Sequence, residues 1–400
     1  MPVRPSPFRL FRRARVASAA EGANGTESTA QGLRVTTGFE GGNASEVEIV
    51  APAHVRFSAQ AHRSPRPLWF AFCLEDAEAP SVRCDLVNAD ACLGPRRGWK
   101  TARPVFSPDG RTWRRVARAR YVEESAVSGY FRFEVPVVSS RTYVAFSYPY
   151  STADLALLLS ELGGADAVRV EELCRSAEGR PVPLVTFGDP GLARRSVWIL
   201  ARQHAGEAPG SHAAEGLARA FAACPPEDGL AVYLAPMLDV DGVAHGRYGK
   251  DQSPVDYNRD WRSGPTFPEV AALLSRMRAA QAAAPAALVL DLHAPHAGDD
   301  SCYLFAQPFT AGSPTDRFVR ALEAASPARV GFRRRDVRTD PGPARSARAF
   351  LQAELRAPAL TVEVSYHLAQ SGLYLEPEDY RQFGAALAEA AREAARESSR

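Results

Sequence analysis

The chain has 400 residues, more than one average domain, so two are expected. Apolar residues make up 46% and charged residues 24%, ordinary values for a globular protein. A formal charge of +2 gives no general attraction for nucleic acid, and no stretch approaches the ~18 apolar residues of a membrane span. Of the 48 basic residues only Lys100 and Lys250 are lysine. Six cysteines (Cys73, Cys84, Cys92, Cys174, Cys224, Cys302) form no C-x-x-C pair and no regular framework, which points to reduced thiols in a cytoplasm.

In chain order, the first twenty residues hold five arginines (Arg4, Arg9, Arg12, Arg13, Arg15) and no acid. The Val-Ala-Ser-Ala-Ala-Glu that follows is too short and weak for a secretory core. Residues 1–32 are polar and unpatterned, so a disordered tail is expected there. From Leu33 to Tyr150 short β-prone runs alternate with Gly, Pro, Asn and Asp: Val47–Val50, Leu68–Leu74, Tyr130–Val138 and Thr142–Tyr148. Such runs predict an antiparallel β-sandwich over residues 33–150. Ser151–Leu162 then opens with a Ser/Thr cap and carries Leu155, Leu158, Leu159 and Leu162 at helical spacing, leading into a second domain over 151–397.

In that second domain strands and helices alternate. Val182–Phe187, Val197–Leu200, Leu230–Leu234, Leu288–Leu292 and Leu360–Val364 read as strands. Ser211–Ala223, Phe267–Ala283, Thr315–Ala325 and Pro377–Arg396 read as helices, the first with Ser211 as N-cap. The pattern predicts an α/β fold, a mixed and largely parallel sheet with helices on both faces. No internal repeat, P-loop, G-x-S-x-G elbow or H-E-x-x-H motif occurs.

The chemistry-bearing residues sit where these strands end. His204-Ala-Gly-Glu207 follows the apolar run 196–201, and His293 closes the run Leu-Val-Leu-Asp-Leu-His, in which Asp291 and His293 share one face. A lone His-x-x-Glu is a weak pattern. Two imidazoles and one carboxylate at strand ends, however, are the ligand set of a catalytic zinc with one position left open. Glu363 lies in the apolar strand Ala-Leu-Thr-Val-Glu-Val, where an isolated buried carboxylate costs several kcal/mol, and a strand end opening onto a metal site removes that cost. Asn258-Arg259 pairs an amide with a guanidinium, a combination that grips a carboxylate.

This set resembles the zinc carboxypeptidases, most closely the cytosolic carboxypeptidase branch, over nearly the whole chain from Thr36. In the first domain the resemblance rests on Phe39-Glu40-Gly41-Gly42-Asn43, on Pro-Leu-Trp-Phe-Ala-Phe (67–72), and on the run Tyr143 to Tyr150 with Asp154-Leu155 following. It implies one zinc ion on His204, Glu207 and His293, a clamp for the substrate's C-terminal carboxylate at Asn258 and Arg259, and a general base at Glu363. The branch usually has an arginine about nine residues before the Asn-Arg pair, steadying the oxyanion. Here that position is Gly249, and Lys250 and Arg247 are equal candidates to replace it. Ser346-Ala347-Arg348 resembles a Thr-Ala-Arg element of the branch near the side-chain pocket, so Arg348 implies a preference for C-terminal Glu or Asp.

The resulting expectation is a metallocarboxypeptidase acting on peptide or protein C-termini, with neither nucleic acid nor membrane as partner. Two other readings stay open: a zinc amidohydrolase of N-acyl amino acids or cell-wall peptides, which uses similar ligands, and a non-catalytic peptide-binding module on the same fold.

Overall fold

A computed structural model describes residues 25–396 except Gln31 and Pro341. The arginine-rich start of the expected tail, residues 1–24, lies outside the described residues. Part of the segment expected to be disordered is a strand instead: β1 (Glu27–Ala30) pairs with β2 (Leu33–Thr36), because its alternating residues find an open sheet edge.

Among the described residues the first part holds nine further strands: β3 (Ser45–Ala51), β4 (His54–Ser58), β5 (Ala71–Glu75), β6 (Ser81–Leu86), β7 (Val105–Ser107), β8 (Arg114–Arg115), β9 (Ala119–Glu123), β10 (Gly129–Pro136) and β11 (Arg141–Ala145). They form two sheets, β1-β2-β5-β11-β7-β8 and β3-β4-β6-β10-β9. Pairing is antiparallel except between β4 and β6, which run parallel. Strand alternation turns one face of each sheet inward, as in β10, where Phe131, Phe133 and Val135 are buried. Phe57 of β4 meets Phe72 of β5 across the interior with ring centroids 4.8 Å apart, and Phe70, Phe133 and Phe146 extend the cluster.

Helix α1 (Thr152–Leu162) starts on a reciprocal cap. Ser151 Oγ accepts from the Asp154 N–H and Asp154 accepts from the Ser151 N–H, while Leu155, Leu158, Leu159 and Leu162 are buried. The remaining strands, β12 (Val168–Arg175), β13 (Pro181–Phe187), β14 (Arg195–Ala201), β15 (Leu230–Ala235), β16 (Ala286–His293), β17 (Tyr303–Ala306), β18 (Val337–Thr339) and β19 (Ala359–Glu363), make one sheet in the order β12-β13-β15-β14-β16-β19-β17-β18. β15, β14, β16 and β19 are parallel, as are β17 and β18, and antiparallel pairs complete the mixed sheet.

Helices α2 (Ala208–Ala223), α5 (Pro314–Ala325) and α7 (Pro377–Ala395) bury Leu217, Phe318 and Leu387 with Val197, Ile199 and Leu290 on one face. Helices α4 (Pro268–Gln281) and α6 (Ala347–Leu355) bury Leu273, Met277 and Leu351 with Trp198, Leu200 and Val289 on the other. A short helix, α3 (Val240–Ala244), follows β15. No helix among the described residues is long and apolar enough to cross a membrane.

Helix α2 begins three residues before the expected Ser211. Proline is tolerated in a first turn, so Pro209 starts the helix, and Ser211 instead accepts a hydrogen bond from Arg202 Nη1 at 2.9 Å. Helices α2 and α7 approach through glycines. A Cβ on Gly384 would stand 1.9 Å from the Ala213 carbonyl oxygen, and one on Gly216 would stand 1.9 Å from that of Arg381. Gly384→Ala is therefore expected to destabilise the protein by about 1–3 kcal/mol despite the better helix propensity of alanine. Urea unfolding checks this; unchanged or raised stability would mean the helices have room to part.

Candidate active site

The parallel core of the sheet brings three strand ends side by side. β14 ends at Ala201, β16 at His293 and β19 at Glu363, and His293 and Glu363 are register partners on neighbouring strands. After β14 the chain turns at Arg202, whose φ is +59°. The buried Arg202 guanidinium ties the loop down by donating to the carbonyls of Ala205 and Tyr150 and to Ser211 Oγ. Gly206 must be glycine, since a Cβ there would lie 2.6 Å from the Tyr248 ring. This loop points His204 and Glu207 toward His293.

His204 Nδ1 and His293 Nδ1 stand 3.2 Å apart. The Glu207 carboxylate lies against both, Oε1 at 2.9 Å from His204 and Oε2 at 2.8 Å from His293. All three side chains are buried. Two nitrogens each ~2.0–2.1 Å from one tetrahedral ion stand about 3.3 Å apart, so the donor set fits a zinc ion. Among the described residues no other group of three His, Cys, Asp or Glu side chains converges in this way.

The far side of each ring is also held. His204 Nε2 is 3.0 Å from Asp256 Oδ1, and His293 Nε2 is 3.0 Å from Asp291 Oδ2. Since a carboxylate only accepts, both Nε2 atoms carry a proton, and the Nδ1 atoms beside Glu207 would give up theirs to a bound metal ion. Burial alone would lower the His204 pKa, but the Asp256 and Glu207 carboxylates outweigh it and push it up to about 9. Burial acts against the Glu207 charge too, and the cations His204, Lys250 and His293 hold its pKa well below the usual carboxylate range.

Glu363 is buried and its Oε2 has no hydrogen-bond partner among the described residues. Burial raises its pKa, with Lys250 and His293 opposing. Lys250 reaches the site, its Nζ 3.1 Å from Glu207 Oε1. Arg247 does not. Its guanidinium turns outward to lie 3.6 Å from Glu178, so of the two equal candidates only Lys250 joins the cluster.

Asn258 follows Asp256 in a short 3-10 turn, and its side chain spans two elements. Its Oδ1 accepts from the Ala347 N–H at 2.7 Å, at the start of α6, and its Nδ2 lies 3.0 Å from His293 Nε2. Because that ring proton is committed to Asp291, the amide hydrogens of Asn258 remain available to another acceptor. Arg259 donates to the Asn258 carbonyl, and among the described residues no carboxylate forms an ion pair with it. Arg348, one residue past Ala347, is buried at 4% exposure. It donates to the Asp340 carbonyl, lies 3.8 Å from the Asp340 carboxylate and stands 5.7 Å above the Phe305 ring.

Two family models cover most of this architecture: "cytosolic carboxypeptidase N-terminal domain" over residues 35–148 and "zinc carboxypeptidase" over residues 161–282. The chain thus matches the zinc carboxypeptidase family and the N-terminal domain of its cytosolic branch, each over less than a third of its length. It is 30% identical over 146 residues to cytosolic carboxypeptidase 2 of Xenopus tropicalis, covering 33% of this chain and 15% of that protein. To human cytosolic carboxypeptidase 6 it is 31% identical over 129 residues, covering 29% and 26%. A Zymomonas mobilis protein is 24% identical over 237 residues, covering 57% and 59%. The chain thus spans less than two thirds of the length of these relatives. Its fold matches a metallo-carboxypeptidase from Burkholderia cenocepacia with a TM-score of 0.75, at 23% identity over 90% of this chain and 97% of that one.

Within the family this chain departs at Gly249, where the branch usually carries arginine. Gly249 has φ +90°, and a Cβ there would meet the Ala205 backbone nitrogen at 2.8 Å and the His204 Cα at 3.2 Å. No side chain fits so close to the ligand loop, and Lys250 next to it delivers the cation instead. The residues that sequence reasoning missed are Asp256, in a loop without periodicity, and the role of Asp291, whose place on the face of His293 was legible. Asp256→Asn replaces the anionic acceptor behind His204 with a neutral amide oxygen and weakens the bond that fixes the ring, so zinc affinity should fall about 10–100-fold. Competition with a chromogenic chelator measures this, and an affinity equal to the parent's would free Asp256 from that role.

Proposed function

We propose that the protein is a zinc-dependent carboxypeptidase that removes one C-terminal residue, preferably acidic, from peptides or protein tails. The carrying observation is the pairing of a three-donor metal site with a buried Glu363 whose Oε2 is unpartnered. A zinc ion on His204, Glu207 and His293 supplies Lewis acidity, polarising the scissile carbonyl and acidifying the attacking water.

Glu363 takes the proton of that water and passes it to the departing amine. Its raised pKa makes it a stronger base than an exposed carboxylate, and its position on the neighbouring strand to His293 keeps it at the same strand-end opening. Lys250 donates toward the oxygen on which negative charge develops. Arg259, with no carboxylate partner among the described residues, and Asn258 hold the free C-terminal carboxylate, which confines cleavage to the last residue.

Arg348 sits at the start of the helix that Asn258 contacts, and its buried guanidinium, which the half-exposed Asp340 already pairs, has donors beyond the one on the Asp340 carbonyl that an acidic substrate side chain would match and an apolar one would not. With this function goes the division into a sandwich that begins by Glu27 and runs to Tyr150 and a catalytic domain over 151–397. A cytoplasmic location goes with it as well, supported by six cysteines that are all free thiols.

Amino-acid release from matched peptides ending in Glu, Asp, Leu and Lys tests the specificity. Release of Glu and Asp should exceed that of Leu, and Arg348→Met should erase most of the difference, by about tenfold or more. Preference for Leu in the parent protein overturns the acidic pocket. Glu363→Gln should leave zinc content unchanged and lower kcat about 10²–10⁴-fold; retained turnover removes it as the base.

A further inference from the structure

Arg115 belongs to β8 of the sandwich, yet its guanidinium is buried inside the catalytic part, with only 8% of the side chain exposed. Nη2 donates to the carbonyls of Tyr366 at 3.3 Å and Leu375 at 2.5 Å. Nη1 donates to the Arg103 carbonyl at 3.1 Å and to His367 Nδ1 at 3.2 Å. The rings of Tyr148 and Tyr374 flank it, with centroids 4.7 and 5.6 Å away. Burial and then the Arg115 charge drive the His367 pKa well below its ordinary value, so the ring is neutral and its Nδ1 can accept.

All of the catalytic-side acceptors lie on one segment, the chain from Tyr366 to Leu375 that begins three residues after Glu363. The segment is closed on itself, with the Leu375 N–H donating to the His367 carbonyl at 2.8 Å. Its start is fixed from both sides. The Val364 N–H donates to the His293 carbonyl at 2.9 Å, and the Tyr366 carbonyl accepts from Tyr380 as well as from Arg115. The Tyr366 and His367 rings stand edge-on to Phe146, at the end of β11, at 5.1 and 4.9 Å. The Tyr366 hydroxyl is buried beside Tyr248, whose ring packs against Gly206 of the ligand loop.

We propose that Arg115 is a positioning residue through which the β-sandwich fixes the segment after Glu363, so that the sandwich is a working part of the active site. This rests on the carboxypeptidase reading for its kinetic consequence, though not for its structural one. A planar fork with donors in fixed directions holds the Tyr366 and Leu375 carbonyls on Nη2 and the Arg103 carbonyl and His367 on Nη1 at once; an ammonium on a flexible stem keeps the charge but has one nitrogen for these four acceptors.

The test compares the full-length protein with Arg115→Lys and Arg115→Met. With Arg115→Lys, zinc content and KM for a Glu-terminated peptide should stay within about twofold, while kcat falls about 10- to 100-fold, the scale of a small misplacement of a reacting group. Amide hydrogen exchange across residues 364–376 should quicken, with exchange across 196–210 unchanged. Parental kcat with parental exchange overturns the proposal, and so does a fall in kcat without faster exchange in that segment. Arg115→Met should give a larger effect of the same kind; if it fails to fold, the lysine variant still decides. If the parent protein releases no amino acid, the proposed activity fails, and the exchange measurement still tests Arg115 by itself.

Discussion

Two imidazole nitrogens 3.2 Å apart share one carboxylate, and each ring is backed by a second buried carboxylate. Such a cluster is expensive to bury, because every ion removed from water loses several kcal/mol of hydration unless partners restore it. Each group here has a partner: Asp256 and Asp291 take the ring protons, Gln203 donates to Asp291 at 2.6 Å, and Lys250 meets Glu207. What remains is a gap lined by the two Nδ1 atoms and an anionic oxygen, which a divalent cation would complete by displacing the Nδ1 protons. The close approach of the loop to Tyr248, the glycines at 206 and 249 and the buried Arg202 all serve to hold that gap open.

The parallel arrangement of β14, β16 and β19 is what makes such a cluster attainable. Adjacent parallel strands end at the same edge of the sheet, so residues at three chain positions far apart in sequence arrive side by side. The sandwich reaches the same edge from outside. Thr101 Oγ1 donates to Asp300 at 2.9 Å, Gly98 and Gly298 approach too closely for a side chain, and the Ser253 N–H donates to the Arg63 carbonyl at 2.9 Å. Both loops thereby contacted, 295–300 and 250–254, adjoin residues of the buried cluster. The first follows His293 and the second follows Lys250.

The sequence revealed most where one physical rule acts alone. Apolar strands ending in His204, His293 and Glu363 were legible because a buried polar residue at the end of an apolar run needs a reason. The helix Ser151–Leu162 was legible from its cap and leucine spacing. Strand β12 was missed because Val-Arg-Val-Glu-Glu-Leu-Cys-Arg lies at a half-exposed sheet edge and carries charges at its outward positions. The start of α2 was misplaced because the serine that looked like a cap serves Arg202. Lys250 and Arg247 could not be separated, since their directions depend on the left-handed backbone of Gly249 between them. Arg115 left no local signature, because all four of its acceptors come from elsewhere in the chain.

The most direct test of the central claim is the position of the ion itself, found by anomalous diffraction at the zinc edge from crystals of the zinc-loaded protein. The account requires one strong peak ~2.0–2.2 Å from His204 Nδ1, His293 Nδ1 and a Glu207 carboxylate oxygen, with Asp256 and Asp291 still on the Nε2 atoms. A peak at any other donor set, or ligation through Nε2 with the two aspartates displaced, would contradict it.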